Sequence, residues 1–210
     1  MVGGYKGFAA AIALLASTSA TPSAAGPYED GDRAFHRKDY AEAMQAWRPL
    51  AENGDARAQA AIASLYLNGL GVPPDAALAM QWCSKAAEQG NARAQYLLGS
   101  MYRDGRGVGK DLPRAVALLR KAADQDFPWA QYNLGLMYFV GEGVPIDYME
   151  AYHWLTLAAA KRPSDDAQVR STAAFLLDEV SSKLTPNQVA MAKQRTRDWK
   201  PASAQDIPRQ

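Results

Sequence analysis

The sequence of 210 residues holds one cysteine, Cys83, and two histidines, His36 and His153. A single thiol excludes an internal disulfide, so stability must come from apolar packing. Cys83 itself reads as a small buried hydrophobe on a helix. The histidines stand far apart, and no His/Cys/carboxylate cluster has metal-ligand spacing. Gly-x-Ser-x-Gly and Gly-x-x-x-x-Gly-Lys-Ser/Thr are both missing, which removes the hydrolase elbow and the P-loop. An excess of one charge is missing too: 23 Lys and Arg face 22 Asp and Glu. That balance excludes the basic footprint of a nucleic-acid binder. The expectation is therefore a chain without catalytic residues, metal ligands or cofactor.

Long apolar runs are scarce as well. Phe8 to Ala16 is the one such run near the N-terminus, with Lys6 before it and small residues after it. It is too short to cross a bilayer. A basic start, a short apolar run and Thr18-Ser19-Ala20 or Ser23-Ala24-Ala25 as cleavage sites match a secretory signal. Residues 1–25 are thus read as a cleaved signal peptide, which places the mature chain in the periplasm or outside the cell with no stable membrane span.

What remains is a composition ordinary for a folded domain, 48% hydrophobic and 21% charged, and a repeat. Ala58-Gln59, Ala94-Gln95 and Ala130-Gln131 recur every 36 residues. Tyr66, Tyr102 and Tyr138 share that register, as do the glycine pairs 69/71, 105/107 and 141/143. Asp75, Asp111 and Asp147 follow, and each copy closes on Ala86-Ala87, Ala122-Ala123 or Ala158-Ala159. A fixed period of this length marks a solenoid.

Each copy reads as two antiparallel helices. In the middle copy the first spans Ala92 to Asp104, with Ala94, Leu98, Met101 and Tyr102 at helical spacing. Gly99 and Gly135 weaken that helix and so point to close approach of a neighbour. The Gly-x-Gly segment ends it through left-handed backbone. Asp111 caps the second helix, and in the third copy Glu150, three residues after Asp147, completes a capping-box pattern. Upstream, Asp39, Glu42, Ala43, Ala51 and Gly54 keep the register without a glycine loop, after a short helix over about Glu29 to Arg37. Downstream, Val169, Ala173, Leu176, Leu177, Val180 and Leu184 form one stripe. Thr185-Pro186-Asn187-Gln188 then opens a last helix towards Trp199. Solenoid ends need altered outer faces.

The pattern Ala-x-Ala-Gln-x-x-Leu-Gly-x-Met-Tyr-x-x-Gly-x-Gly-Val-x-x-Asp, as in Ala92 to Asp111, resembles the Sel1-like repeat, a relative of the tetratricopeptide repeat. The resemblance implies an all-α fold, a right-handed solenoid of helix pairs. The organisation expected is a signal peptide over 1–25, an N-terminal capping pair over 28–55 and repeats over 56–91, 92–127 and 128–163. Capping helices over 164–200 and a polar tail over 201–210 complete it. The resemblance further implies a non-catalytic adaptor that binds a protein or peptide, such as an envelope sensor or assembly factor. A cell-wall hydrolase or enzyme subunit and a small-ligand carrier are the other classes.

Three features beyond the repeat need a reading. His153 matches Gln81 and Ala117 in register and is expected on the surface. Trp82 and Trp154 share one repeat position and read as core residues. Asp165-Asp166, beside Ser164, read as a helix start.

A partner is expected on the concave face, lined by first helices, where positions i, i+3, i+7, i+10 and i+11 share one side. The first copy offers Arg57, Ala60, Ser64, Leu67 and Asn68. The second offers Arg93, Tyr96, Ser100, Arg103 and Asp104. The third, with Trp129, Tyr132, Leu136, Phe139 and Val140, is almost wholly apolar. Candidate partner-binding residues are Arg57, Ser64, Arg93, Tyr96, Ser100, Arg103, Asp104, Trp129 and Tyr132. The arginines suit an acidic group or a C-terminal carboxylate, unless they pair with acids of the chain itself. The apolar third set is either covered by the C-terminal helices or open as a pocket.

Overall fold

A computed structural model describes residues 26–160 and 167–202. The signal segment, Asp165-Asp166 and residues 203–210 lie outside the described residues. Among the described residues the chain is all-α, with ten helices and no strand. They are α1 (Pro27–His36), α2 (Tyr40–Glu52), α3 (Ala56–Asn68), α4 (Ala76–Glu88) and α5 (Ala92–Asp104). Then come α6 (Leu112–Asp124), α7 (Pro128–Val140), α8 (Tyr148–Ala159), α9 (Ala167–Ser181) and α10 (Pro186–Asp198). Helices α1 to α8 pack as successive antiparallel pairs, each pair stacked on the next.

The repeated residues explain the repeated geometry. Asp75 and Asp111 accept the N–H three residues on, at 2.9 and 3.0 Å, and so start α4 and α6. Gly105, at φ +70°, ends α5 in the left-handed conformation. Gly107, at φ +73°, lies against the start of the preceding second helix. A Cβ there would fall 2.7 Å from that of Ala76. Gly99 has a different task inside α5, where a Cβ would stand 3.0 Å from Leu119 Cγ and 3.2 Å from the Ala115 carbonyl. The weak helix former is the condition for close packing of α5 on α6.

The recurrent glutamine is a buried strut between units. Gln59 Nε2 donates to the Ala51 carbonyl at 3.0 Å, and Gln131 Nε2 to that of Ala123 at 3.2 Å. Gln95 reaches Ala87 at 3.4 Å. Each bond satisfies a carbonyl near the end of the preceding unit's second helix, where intrahelical donors run out. The paired alanines let the helices meet there.

At the N-terminus α1 is fixed by Trp47, buried and donating from Nε1 to the Tyr28 carbonyl at 3.0 Å. At the other end α9 takes the place of a next first helix, against both α7 and α8. Helix α10 starts with a complete capping box of Thr185 and Gln188 and Pro at its first turn. Instead of forming a regular pair with α9, it lies on α8. Beyond it, the Ala202 N–H bonds the Asp124 carbonyl of α6 at 2.8 Å, so the start of the expected polar tail is tied down.

Helix α10 overturns two local readings. His153 is 1% exposed, not a surface residue. Its Nδ1 lies 3.0 Å from Thr196 Oγ1, and its ring packs on Trp154 and Trp199. Gln81, one register position equivalent, stays exposed because α4 has no helix laid across it. Glu150 does not reach back to close a capping box. Its carboxylate accepts Trp154 Nε1 at 3.1 Å and pairs with Arg195 of α10 at 2.6 Å. Asp147 alone caps α8, accepting from Met149 and Glu150. Trp154 is buried, as expected of its register position, whereas Trp82 is only partly so. Its indole faces Lys85, whose Nζ lies 4.9 Å from the ring centre.

Candidate functional site: the groove of the first helices

Two pairs of neighbouring first helices touch directly, α3 with α5 and α7 with α9, while α5 and α7 stand further apart. Neighbouring second helices of the repeats, α4 with α6 and α6 with α8, make no comparable contact. The first helices thus lie closer together than the second helices at these two steps. On the side of the first helices lies a groove of about 500 Å³, walled by α3, α5, the loop after α5 and the start of α7. Seven of the nine sequence candidates line it: Ser64, Arg93, Tyr96, Ser100, Arg103, Asp104 and Trp129.

Arg57 and Tyr132 are not among them. Arg57 turns to α1, pairing with Glu29 at 3.3 Å and covering the Tyr28 ring at 4.2 Å. Tyr132, with Leu136 and Phe139, packs into the cluster that Tyr152 and Leu155 of α8 form with Ala173, Leu176 and Val180 of α9. The covered alternative thus holds for most of the apolar third set, and Val140 at its end stays exposed. Three groove residues escaped the sequence reading: Leu97, Arg106 and Phe127. Arg106 is the middle residue of a Gly-x-Gly loop, a position that varies freely among copies. Phe127 did carry a signal. Its equivalents Asp55 and Asn91 cap α3 and α5 through their side chains, and Phe127 gives α7 no side-chain cap. Losing such a cap costs about 1 kcal/mol; in its place the ring packs on the core below and shows its other side to the groove.

A family model of the Sel1 repeat matches residues 56–91, 92–127 and 130–162. The chain belongs to the Sel1 repeat family. A solved Sel1 repeat protein from Oxalobacter formigenes is 32% identical, with 80% of this chain and 69% of that one covered and a TM-score of 0.61. A protective antigen of uropathogenic Escherichia coli strains, also of Sel1-like repeat fold, is 30% identical with a TM-score of 0.69. The match takes in 82% of this chain but only 37% of the antigen's length. No curated protein gives a significant match.

In this Sel1 repeat protein the groove's cations are unequally engaged. Arg103 donates to Asn133 Oδ1 and from Nε to Asp104 at 2.8 Å, and the carboxylate holds its pKa above the ordinary arginine value. Arg106 donates to the Leu67 carbonyl at 2.7 Å and meets no acid among the described residues. Arg93 makes one long bond, 3.4 Å from Nη2 to Ser64 Oγ, and among the described residues has no carboxylate partner. Tyr96 packs on Phe127 at a tilt with ring centres 5.3 Å apart, and burial pushes its phenol pKa up, so it stays neutral. Ser100 Oγ, beside that phenol, is buried without a hydrogen bond of good geometry. Cys83 stays in the core, its pKa pushed up to about 12 by burial, and offers no nucleophile. Among the described residues no three His, Cys, Asp or Glu side chains gather as metal ligands. The chemistry on offer is recognition of an anion beside an aromatic wall.

Proposed function

We propose that this Sel1 repeat protein is a non-catalytic adaptor or regulator of the cell envelope, binding a protein or peptide along the groove of its first helices. One observation carries the reading: seven side chains from the first helices of three successive units line an open groove, one of them an arginine with no acid partner among the described residues. The N-terminal segment supports export. Recognition by such a surface rests on a few well-placed aromatic and arginine anchors rather than on area.

The test is photo-crosslinking in the native envelope from single positions. Crosslinkers at Asn68 and Arg106, in the groove, are expected to capture the same protein. One at Gln81, on the exposed side of α4, should capture none. Capture of that protein from Gln81 and not from the groove would overturn the proposal.

A further inference from the structure

We infer that the groove receives the C-terminal end of a partner chain whose last residue bears a large apolar side chain. The carboxylate goes to Arg93 and the side chain to the wall of Tyr96, Phe127 and Trp129. This rests on the groove being the partner-binding face and narrows what it binds.

Charge comes first. Three guanidinium groups line the groove, from Arg93, Arg103 and Arg106, against one carboxylate, Asp104. Arg103 spends its donors on Asp104 and Asn133. Arg93 is half-buried and spends only one, on a 3.4 Å bond. A partly desolvated, unpaired guanidinium in a low-dielectric cleft favours an anion, and its forked donors fit a carboxylate.

The wall comes second. At position 127 the chain forgoes the polar cap that Asp55 and Asn91 give the sister copies, and places a phenyl ring against Tyr96. A repeat that trades a helix cap for a half-buried ring facing a groove provides a seat for apolar surface.

The geometry then separates a chain terminus from an internal acidic residue. Arg93 and Tyr96 stand one turn apart on α5 and both line the groove, Arg93 reaching towards Ser64 of α3 and Tyr96 towards Phe127, so cation and aromatic wall flank one stretch of it. A terminal residue presents carboxylate and side chain from one Cα and can meet both together. An internal acidic residue needs a second residue for the wall and must run its backbone through the groove. The walls are mostly helix interiors, whose N–H and C=O groups are already bonded, so they offer a passing strand few main-chain partners.

The experiment uses a synthetic library of randomised hexapeptides with free C-termini, screened on the purified full chain. Selected peptides are expected to end in Phe, Leu or Trp. Amidating their C-terminus should weaken binding about tenfold or more, the worth of a charge-assisted bond. Arg93→Gln should bind acid and amide alike, whereas Arg57→Gln should keep the discrimination. Phe127→Asn restores a helix cap in exchange for the ring's packing, so it is expected to stay folded and yet lose the preference for an apolar last residue. Equal binding of acid and amide by the unaltered protein overturns the inference. So does selection of internal Asp or Glu without regard to the last residue, which leaves groove binding itself standing. If nothing is selected while groove crosslinks persist, this inference alone falls. If the groove crosslinks also fail, both readings fall.

Discussion

The first-helix faces of the second and third repeats begin from one 36-residue template and end in opposite states. In the second, Arg93, Tyr96, Ser100 and Arg103 remain at an open groove. In the third, Tyr132, Leu136 and Phe139 lie under α9. Backbone, glycine loop and the aspartate cap of the second helix are shared, so the difference is made by side chains that the repeat leaves free to vary. An apolar face recruits the next helix and becomes core, because leaving it wet forgoes about 25 cal/mol per Å². A face carrying arginine offers a following helix no such gain and stays open.

The sharpest way to break this comparison is to change matched positions at the two ends. Trp154→Ala removes a buried indole beneath α10 and should cost about 3–5 kcal/mol. Trp82→Ala, at the same register but partly exposed, should cost roughly 1–2 kcal/mol, since less of its surface is buried. Urea unfolding followed by circular dichroism measures both. Equal losses would mean that α10 contributes little to the C-terminal end.

The next effect is on pH. Burial, with Arg195 nearby, lowers the His153 pKa from 6.5 to about 4. The folded chain then binds fewer protons than the unfolded one between those values, so stability falls as pH drops from about 6.5 towards 4. By pH 4.5 the loss should be about 2 kcal/mol. The measurement is the difference in urea midpoint between pH 7 and 4.5 for the natural chain and for His153→Gln. A variant with the same pH slope would remove His153 as its source.

Smaller still is the cap of α10. Thr185→Ala takes away the side-chain acceptor for the Gln188 N–H and should cost about 1 kcal/mol. The loss should show first as faster amide exchange in α10, while α3 and α5 keep their protection. Arg57→Ala loses an exposed ion pair with Glu29 and should cost less than about 1 kcal/mol. Partner capture should be unchanged, unlike that of Arg93→Gln. A charge reversal that includes Arg103 would blur this contrast by also breaking its bonds to Asp104 and Asn133.

Legibility in the sequence followed the range of each interaction. The bounds of α5, the aspartate caps, the left-handed glycines and the Thr185–Gln188 box were readable because each is decided within a few residues. Close approach at Gly99 was readable too, since a glycine repeated inside a helix has few other causes. The groove was read in part, from spacing along one helix. Phe127 was missed although the broken run Asp55, Asn91, Phe127 was in plain view as a departure at a cap. Arg106 and Leu97 had no comparable signal.

The sequence by itself determined the repeat, the helix pairs and which residues share one face of the first helices, because period and capping are local and recur three times. Tertiary structure alone decided which of those residues stay available. Arg57 turned to Glu29 and Tyr28, Arg103 to Asp104 and Asn133, and Arg93 to Ser64 and, among the described residues, to no acid. The burial of His153 and the new partners of Glu150 were likewise settled by α10, which lies more than thirty positions away along the chain. Pairing and burial depend on what a distant segment brings within a few ångströms, and a register of identical positions carries no record of that.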